Sequence, residues 1–120
     1  MMARILVVDD AAFMRKLVSD VVIDGGHEVV GEAATGVEAL ERFRELRPDV
    51  ITLDITMPEK DGIEALKEII AVDPDARVIM CSALGQDSKV LESIKLGAKD
   101  FVVKPFEPER VLSAIDKALN

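Results

Sequence analysis

The sequence predicts an α/β protein built on a doubly wound, five-stranded parallel sheet with helices on both faces, and three observations predict it. Short, continuous apolar runs recur along the chain, as parallel strands covered on both sides require. Between them lie amphipathic stretches of helical period at a fairly even stride. No low-complexity linker or fold-sized change in composition interrupts this alternation over 120 residues, so a single domain spanning 1–120 is expected.

The first strand is ILVV (5–8). Met14, Leu17, Val18, Val21 and Val22 follow at helical spacing, and Gly25-Gly26 supplies the stop. EVVGEA (28–33) is a weaker strand whose charged ends and glycine suit an edge position. Val37, Leu40 and Phe43 form the next helical face, which ends before Pro48. VITL (50–53) is the third strand, and Ile63, Leu66 and Ile70 mark the helix after it. VIMC (78–81) is the fourth, followed by a helix with Val90, Leu91 and Ile94 that Gly97 closes. FVV (101–103) is the fifth, and Val111, Leu112, Ile115 and Leu119 line the last helix. All these apolar side chains are expected in the core, and right-handed crossovers place helices on both faces of the sheet.

Four groups of residues carry plain structural expectations. His27, beside the glycine pair, is expected as a solvated loop residue. Cys81, inside an apolar run, reads as a small buried hydrophobe. Asp61 and Glu64 have the spacing of a helix-capping pair. Glu107, Glu109 and Arg110 look like the ordinary charged first turn of the last helix.

Composition narrows the function classes. The chain is 49% hydrophobic and 32% charged with a formal net charge of -8, which describes a soluble globular protein rather than a disordered one. Phosphate backbones and anionic lipid surfaces repel such a protein, so neither nucleic acid nor membrane is an expected partner. No charged leader precedes an apolar segment and no apolar run approaches bilayer length, so a cytoplasmic location is expected. One cysteine excludes an internal disulfide framework and a cysteine-based zinc site. The chain holds a single Asn, Asn120, and a single Gln, Gln86, a scarcity of thermolabile amides that fits heat adaptation, base composition or a designed or consensus-like sequence equally.

In doubly wound sheets, function gathers outside the carboxyl ends of the strands, where strand order reverses. The residues found there are Asp9-Asp10 after the first strand, Asp54 after the third, Ser82 after the fourth and Lys104-Pro105 after the fifth. In the flavodoxin-like order 2-1-3-4-5 the first and third strands are neighbours, so three carboxylates converge at one edge of a shallow pocket. Ser82 then lies one strand beyond Asp54, and Lys104 two strands beyond, within reach of a long side chain. Three close carboxylates need a counter-charge, and hard oxygen ligands select a hard cation, which points to Mg2+. Such a site suits phosphoryl chemistry, and a carboxylate beside the ion can itself accept a phosphoryl group. Lys104 and the Ser82 hydroxyl are placed to hold phosphoryl oxygens.

The combination of VVDD (7–10), LDITMPEKDG (53–62), CSALG (81–85) and AKDFVVKPF (98–106) resembles the receiver domain of two-component response regulators. The resemblance covers essentially the whole chain in motif order and spacing. Within that superfamily, VVDDAAFMR and DITMPEKDGIEALKEI are most similar to the free-standing chemotaxis regulators. The resemblance implies that Asp54 is the phosphoacceptor and that Asp9 and Asp10, with Asp54 and the backbone carbonyl of Thr56, hold Mg2+. It implies that Ser82 is the switch hydroxyl, Phe101 the switch aromatic, and Lys104 the active-site lysine before a cis bond to Pro105. By the same resemblance the input partner is a chemotaxis histidine kinase, the output partner a flagellar motor switch protein, and a dedicated phosphatase a further candidate. The protein is then a monomeric signalling phosphoacceptor rather than an enzyme, and Lys95, Lys99, Phe101 and the last helix form its candidate docking face. Phe101 stands where some relatives carry tyrosine, so a switch here works by packing alone.

Other classes share parts of this pattern. A stand-alone receiver in a non-chemotaxis phosphorelay would use the same five residues. A flavodoxin-like electron carrier needs hydroxyls and amides after the first strand to cradle a flavin phosphate, which Asp9-Asp10 would repel. A Mg2+-dependent phosphohydrolase of the haloacid dehalogenase type places its nucleophile after the first strand, with a second acid two residues on; Asp54 is followed at that spacing by Thr56.

Overall fold

The computed structural model describes residues 2–120. Its elements run β1 (Arg4–Val8), α1 (Ala12–Asp24), β2 (Glu28–Ala33), α2 (Gly36–Leu46), β3 (Val50–Asp54), α3 (Gly62–Val72), β4 (Val78–Ser82), α4 (Asp87–Leu96), β5 (Asp100–Val103) and α5 (Pro108–Leu119). The strands form one parallel sheet in the order β2-β1-β3-β4-β5, the flavodoxin-like arrangement expected from the alternation of apolar runs.

Alternation along β1 divides the core into two layers. Leu6 and Val8 face Phe43 of α2 and Leu66 and Ile69 of α3, together with Ile51 and Leu53 of β3. Ile5 and Val7 face Val18 and Val22 of α1 and Val111 and Ile115 of α5. Every residue of β3 and of β4 is buried, as central strands covered on both faces must be. Each large apolar side chain removed from water contributes roughly 1.5–3 kcal/mol, so these strands form a rigid base for the residues that follow them.

Caps fix where the helices begin. Thr35 accepts from the Glu38 N–H at the start of α2, and Asp61 accepts from the Glu64 N–H at the start of α3, each worth about 1 kcal/mol. Gly62 opens α3 against the end of β3. Its N–H donates to the Ile55 carbonyl at 2.7 Å, and a Cβ there would fall 2.0 Å from the Asp54 carbonyl oxygen. Glycine is required by this close approach, which sets the turn that carries Asp54.

Three expectations are corrected. His27 is buried, not solvated, because its Nδ1 accepts from the Ala3 N–H at 3.0 Å and ties the chain before β1 to the loop before β2. Leu17 and Val37 stand at the edges of their apolar faces and remain substantially exposed. On α4 only Ser93 is fully buried, whereas Leu91 and Ile94 are exposed. Helical spacing places them on one face with Val90, but that face looks onto a groove rather than into the core.

Candidate functional site at the carboxyl edge of the sheet

Asp9, directly after β1, and Asp54, the last residue of β3, are both buried, while Asp10 is exposed. Their neighbouring strands bring one carboxylate oxygen from each of the three residues within 4.8 Å of one another. Asp9 Oδ1 accepts from the Ala11 N–H at 2.9 Å, so Asp9, not Asp10, tethers the entry to α1. Arg15, on the first turn of α1, donates to the Asp9 carbonyl at 2.8 Å and pairs with Glu32 of β2 at 3.0 Å. That contact holds the end of β1 from the side of the edge strand.

Lys104 supplies the counter-charge. Its Nζ donates to Asp9 Oδ2 at 2.8 Å and lies 3.3 Å from Asp54 Oδ1. Burial pushes the Asp54 carboxyl up to about 6, the like charge of Asp9 adds to this, and Lys104 opposes it. Burial alone would lower the Lys104 ammonium, but its hydrogen bond to Asp9 and the charge of Asp54 hold it above its ordinary value. The pocket is thus short of positive charge, with one cation shared between two buried carboxylates. A donor set of three clustered carboxylates fits a hard divalent cation, which takes oxygen ligands.

The remaining sequence-predicted residues surround this pocket. Ser82, buried at the end of β4, donates from Oγ to the Val102 carbonyl of β5 at 3.4 Å. Thr56 lies in the turn after β3, and its Oγ1 accepts from the Gln86 amide at 2.8 Å. The Lys104–Pro105 bond is cis, as expected. Cys81, in register with Asp54, is buried, and burial pushes its thiol up to about 12. Phe101 is half-buried and lines an apolar cavity of about 370 Å3 with Leu84, Val90, Leu91, Ile94 and Val103.

Sequence reasoning missed Arg110. Its guanidinium donates to both Asp100 oxygens and to the Phe101 carbonyl, and lies 5.8 Å from the centroid of the Phe101 ring. It is therefore more than an ordinary residue of a charged first helical turn. No sequence signal marks a contact that reaches from α5 back to β5.

Residues 5–116 match the family described as the response regulator receiver domain. The chain belongs to that family. This receiver domain is 59% identical to the Chemotaxis protein CheY of Bacillus subtilis over 117 residues, covering 98% of each chain. Its fold matches the crystal structure of a CheX-CheY-BeF3-Mg+2 complex from Borrelia burgdorferi with a TM-score of 0.93 at 38% identity, covering 98% of this chain and 89% of that one. It also matches NtrX of Brucella abortus with a TM-score of 0.91 at 35% identity, spanning 27% of that longer chain. Near full-length identity to chemotaxis proteins makes this a chemotaxis-type response regulator receiver.

Proposed function

We propose that the chain is a single-domain, monomeric, cytoplasmic chemotaxis response regulator that accepts a phosphoryl group on Asp54 from a histidine kinase. The observation that carries this reading is the gathering of Asp9, Asp10 and Asp54 within 4.8 Å, with Lys104 bridging Asp9 and Asp54. Asp9 and Asp10, with Asp54 and the Thr56 carbonyl, would hold Mg2+. When bound, the ion supplies positive charge that offsets the carboxylates and the incoming phosphoryl oxygens.

The chain's own groups perform the rest. A carboxylate oxygen of Asp54 attacks phosphorus, the phosphorus–nitrogen bond of the donor phosphohistidine breaks, and the electron pair stays on the imidazole, which takes up a proton. Asp54 is poised for this because desolvation raises the energy of its anion. Lys104 turns from the carboxylates to a phosphoryl oxygen, and the Ser82 hydroxyl leaves the Val102 carbonyl to donate to another. Phe101 follows into the apolar cavity beside it, and the face of Lys95, Lys99, Phe101 and α5 changes shape for a flagellar motor switch protein. A dedicated phosphatase would reset the cycle. The change is a population shift limited by what the phosphoryl group contributes differently in the two arrangements.

Intact mass after incubation with acetyl phosphate tests the reading. The expected result is one phosphoryl adduct that needs both Mg2+ and Asp54 and is missing in Asp54→Asn; no adduct under any condition overturns it.

A further inference from the structure

Gln86, the chain's only glutamine, bridges from the start of α4 to the turn after β3. Its carboxamide oxygen accepts from the Ala83 N–H at 2.6 Å, and its carboxamide nitrogen donates to Thr56 Oγ1 at 2.8 Å. Ala83 directly follows Ser82, and Thr56 lies two residues beyond Asp54. Because β3 and β4 are neighbours with Asp54 opposite Cys81, this one side chain ties together the two turns that flank Asp54.

The residue type suits the task. A carboxamide carries an acceptor and donors on one planar group, so it satisfies an N–H on one turn and a hydroxyl on the other at once. A glutamate in the same place would bring another negative charge beside three carboxylates. The tie is also weak: hydrogen bonds near solvent contribute little net stability, and fixing a long side chain costs rotamer freedom. Such a contact can break and re-form in every cycle.

The donors at the end of β4 are both engaged inside the protein. Ser82 Oγ is bonded to the Val102 carbonyl and the Ala83 N–H to Gln86. We propose that Gln86 is a positioning residue, a latch that holds the β4–α4 turn in its resting arrangement and opens when a phosphoryl group arrives on Asp54. This rests on Asp54 being the phosphoacceptor. A phosphoryl group brings three strong acceptor oxygens to the carboxyl edge. They compete with the Gln86 oxygen for the Ala83 N–H and with the Val102 carbonyl for the Ser82 hydroxyl, and a charged acceptor outcompetes a neutral one. Once Ala83 is captured, Gln86 loses one of its two anchors and the tie to Thr56 fails. The turn carrying Leu84 is then free to repack against the apolar groove lined by Leu91 and Phe101. By linkage, a latch that phosphorylation opens must itself oppose the phosphorylated state, and because Ala83 has to leave Gln86 before it can hold a phosphoryl oxygen, opening lies on the path of transfer and slows it.

The deciding experiment measures initial rates of adduct formation from acetyl phosphate at saturating Mg2+, by intact mass, for wild type, Gln86→Ala, Thr56→Val and the double variant. Thr56→Val keeps the shape and the main-chain carbonyl while removing Oγ1. Thr56→Val, which removes one of the two anchors, should react about fivefold faster, the factor expected for one net hydrogen bond, and Gln86→Ala, which removes both, should react at least as fast. The double variant should react no faster than Gln86→Ala, because the Thr56 bond is already lost with Gln86. In unphosphorylated protein the Ala83 amide should exchange with solvent about fivefold faster in Gln86→Ala than in wild type. Equal rates in all four proteins, or fully additive effects, overturn the latch. No adduct in wild type overturns the phosphoacceptor reading instead, and Ala83 exchange then decides whether Gln86 holds the turn.

Discussion

Lys104 Nζ donates to Asp9 Oδ2 at 2.8 Å, joining the end of β5 to the end of β1 across 95 positions of sequence. The ammonium occupies the negative field that a divalent cation would also use. It attracts phosphoryl oxygens yet competes with the metal, so its removal acts in opposite directions on the two. Lys104→Met should bind Mg2+ roughly fivefold to tenfold more tightly, the residual effect of one partly screened charge. Phosphoryl acceptance at saturating Mg2+ should fall about a hundredfold, as when a fixed charge-stabilising donor is lost. Calorimetric titration and adduct rates check the pair; weakened Mg2+ binding would show that Lys104 supports the metal rather than competing with it.

Asp54 makes stability depend on pH in Mg2+-free buffer. Burial, followed by the charge of Asp9, lifts its carboxyl to about 6 from 3.8. Between those values the unfolded chain has released this proton and the folded chain keeps it, so this group's contribution to stability falls as pH rises through the window. Asp54→Asn removes the titration and the repulsion together. It should be more stable than wild type at neutral pH by on the order of 2 kcal/mol, and the two should converge in acid. Urea unfolding across the pH range measures this difference. Equal stability of the two proteins at neutral pH would mean that the folded site tolerates all three charges.

The parts of this protein legible in its sequence are those fixed by period and position. Continuous apolar runs mark β1, β3, β4 and β5, and the strand-end rule brings Asp9, Asp10, Asp54, Ser82 and Lys104 to one edge. His27 was not legible, since burial came from accepting a single N–H 24 positions away. Nor were Gln86 and Arg110, whose roles depend on side-chain reach between turns and leave no periodic mark. Leu91 and Ile94 failed in the other direction: apolar spacing on α4 gives the face but not whether the helix sits tightly on the sheet.

Arg110 holds Phe101 from outside. It forks onto Asp100 and packs over the aromatic ring, a geometry that lysine cannot reproduce. Arg110→Lys should therefore lose stability nearly as Arg110→Met does, about 1 kcal/mol in a site this open to solvent. Burial pushes the Asp100 carboxyl up, but the hydrogen bonds from Arg110 and from the Phe101 N–H outweigh it and hold it below its ordinary value. Its contribution is present above the usual carboxylate range and is lost as pH falls through the lowered value. Asp100→Asn should cost stability at neutral pH and little in strong acid, read from urea midpoints. A Lys variant as stable as wild type would reduce the contact to simple charge pairing.

The proposed docking face for a flagellar motor switch protein makes a prediction of its own. Lys95 and Lys99 are exposed beside the groove that contains Phe101, and the chain's net charge of -8 makes such local positive charge distinctive. Charge reversal at either, Lys95→Glu or Lys99→Glu, should weaken phosphorylation-dependent binding to the motor switch partner about tenfold, chiefly through slower association. Adduct formation should be unaltered. Unchanged affinity would move the docking face elsewhere.

In the proposed phosphorylation cycle, the apolar side chain of Leu84 should lengthen the life of the phosphorylated state. It stands two residues beyond Ser82 with 82% of its surface exposed, on the turn that follows β4. Hydrolysis of an acyl phosphate needs a water held in line with phosphorus, and a side chain that accepts the water's proton orients it. An isobutyl group accepts no hydrogen bond, so position 84 offers no group to hold that water. Self-dephosphorylation should therefore be slow in the wild type. Leu84→Glu adds a carboxylate on the exposed turn after β4 without disturbing the core and should shorten the lifetime about tenfold, well below the gain from a fully positioned base because the turn is exposed. Decay of the mass adduct after removal of acetyl phosphate measures both lifetimes. Equal decay would mean that water reaches phosphorus by a path position 84 does not control.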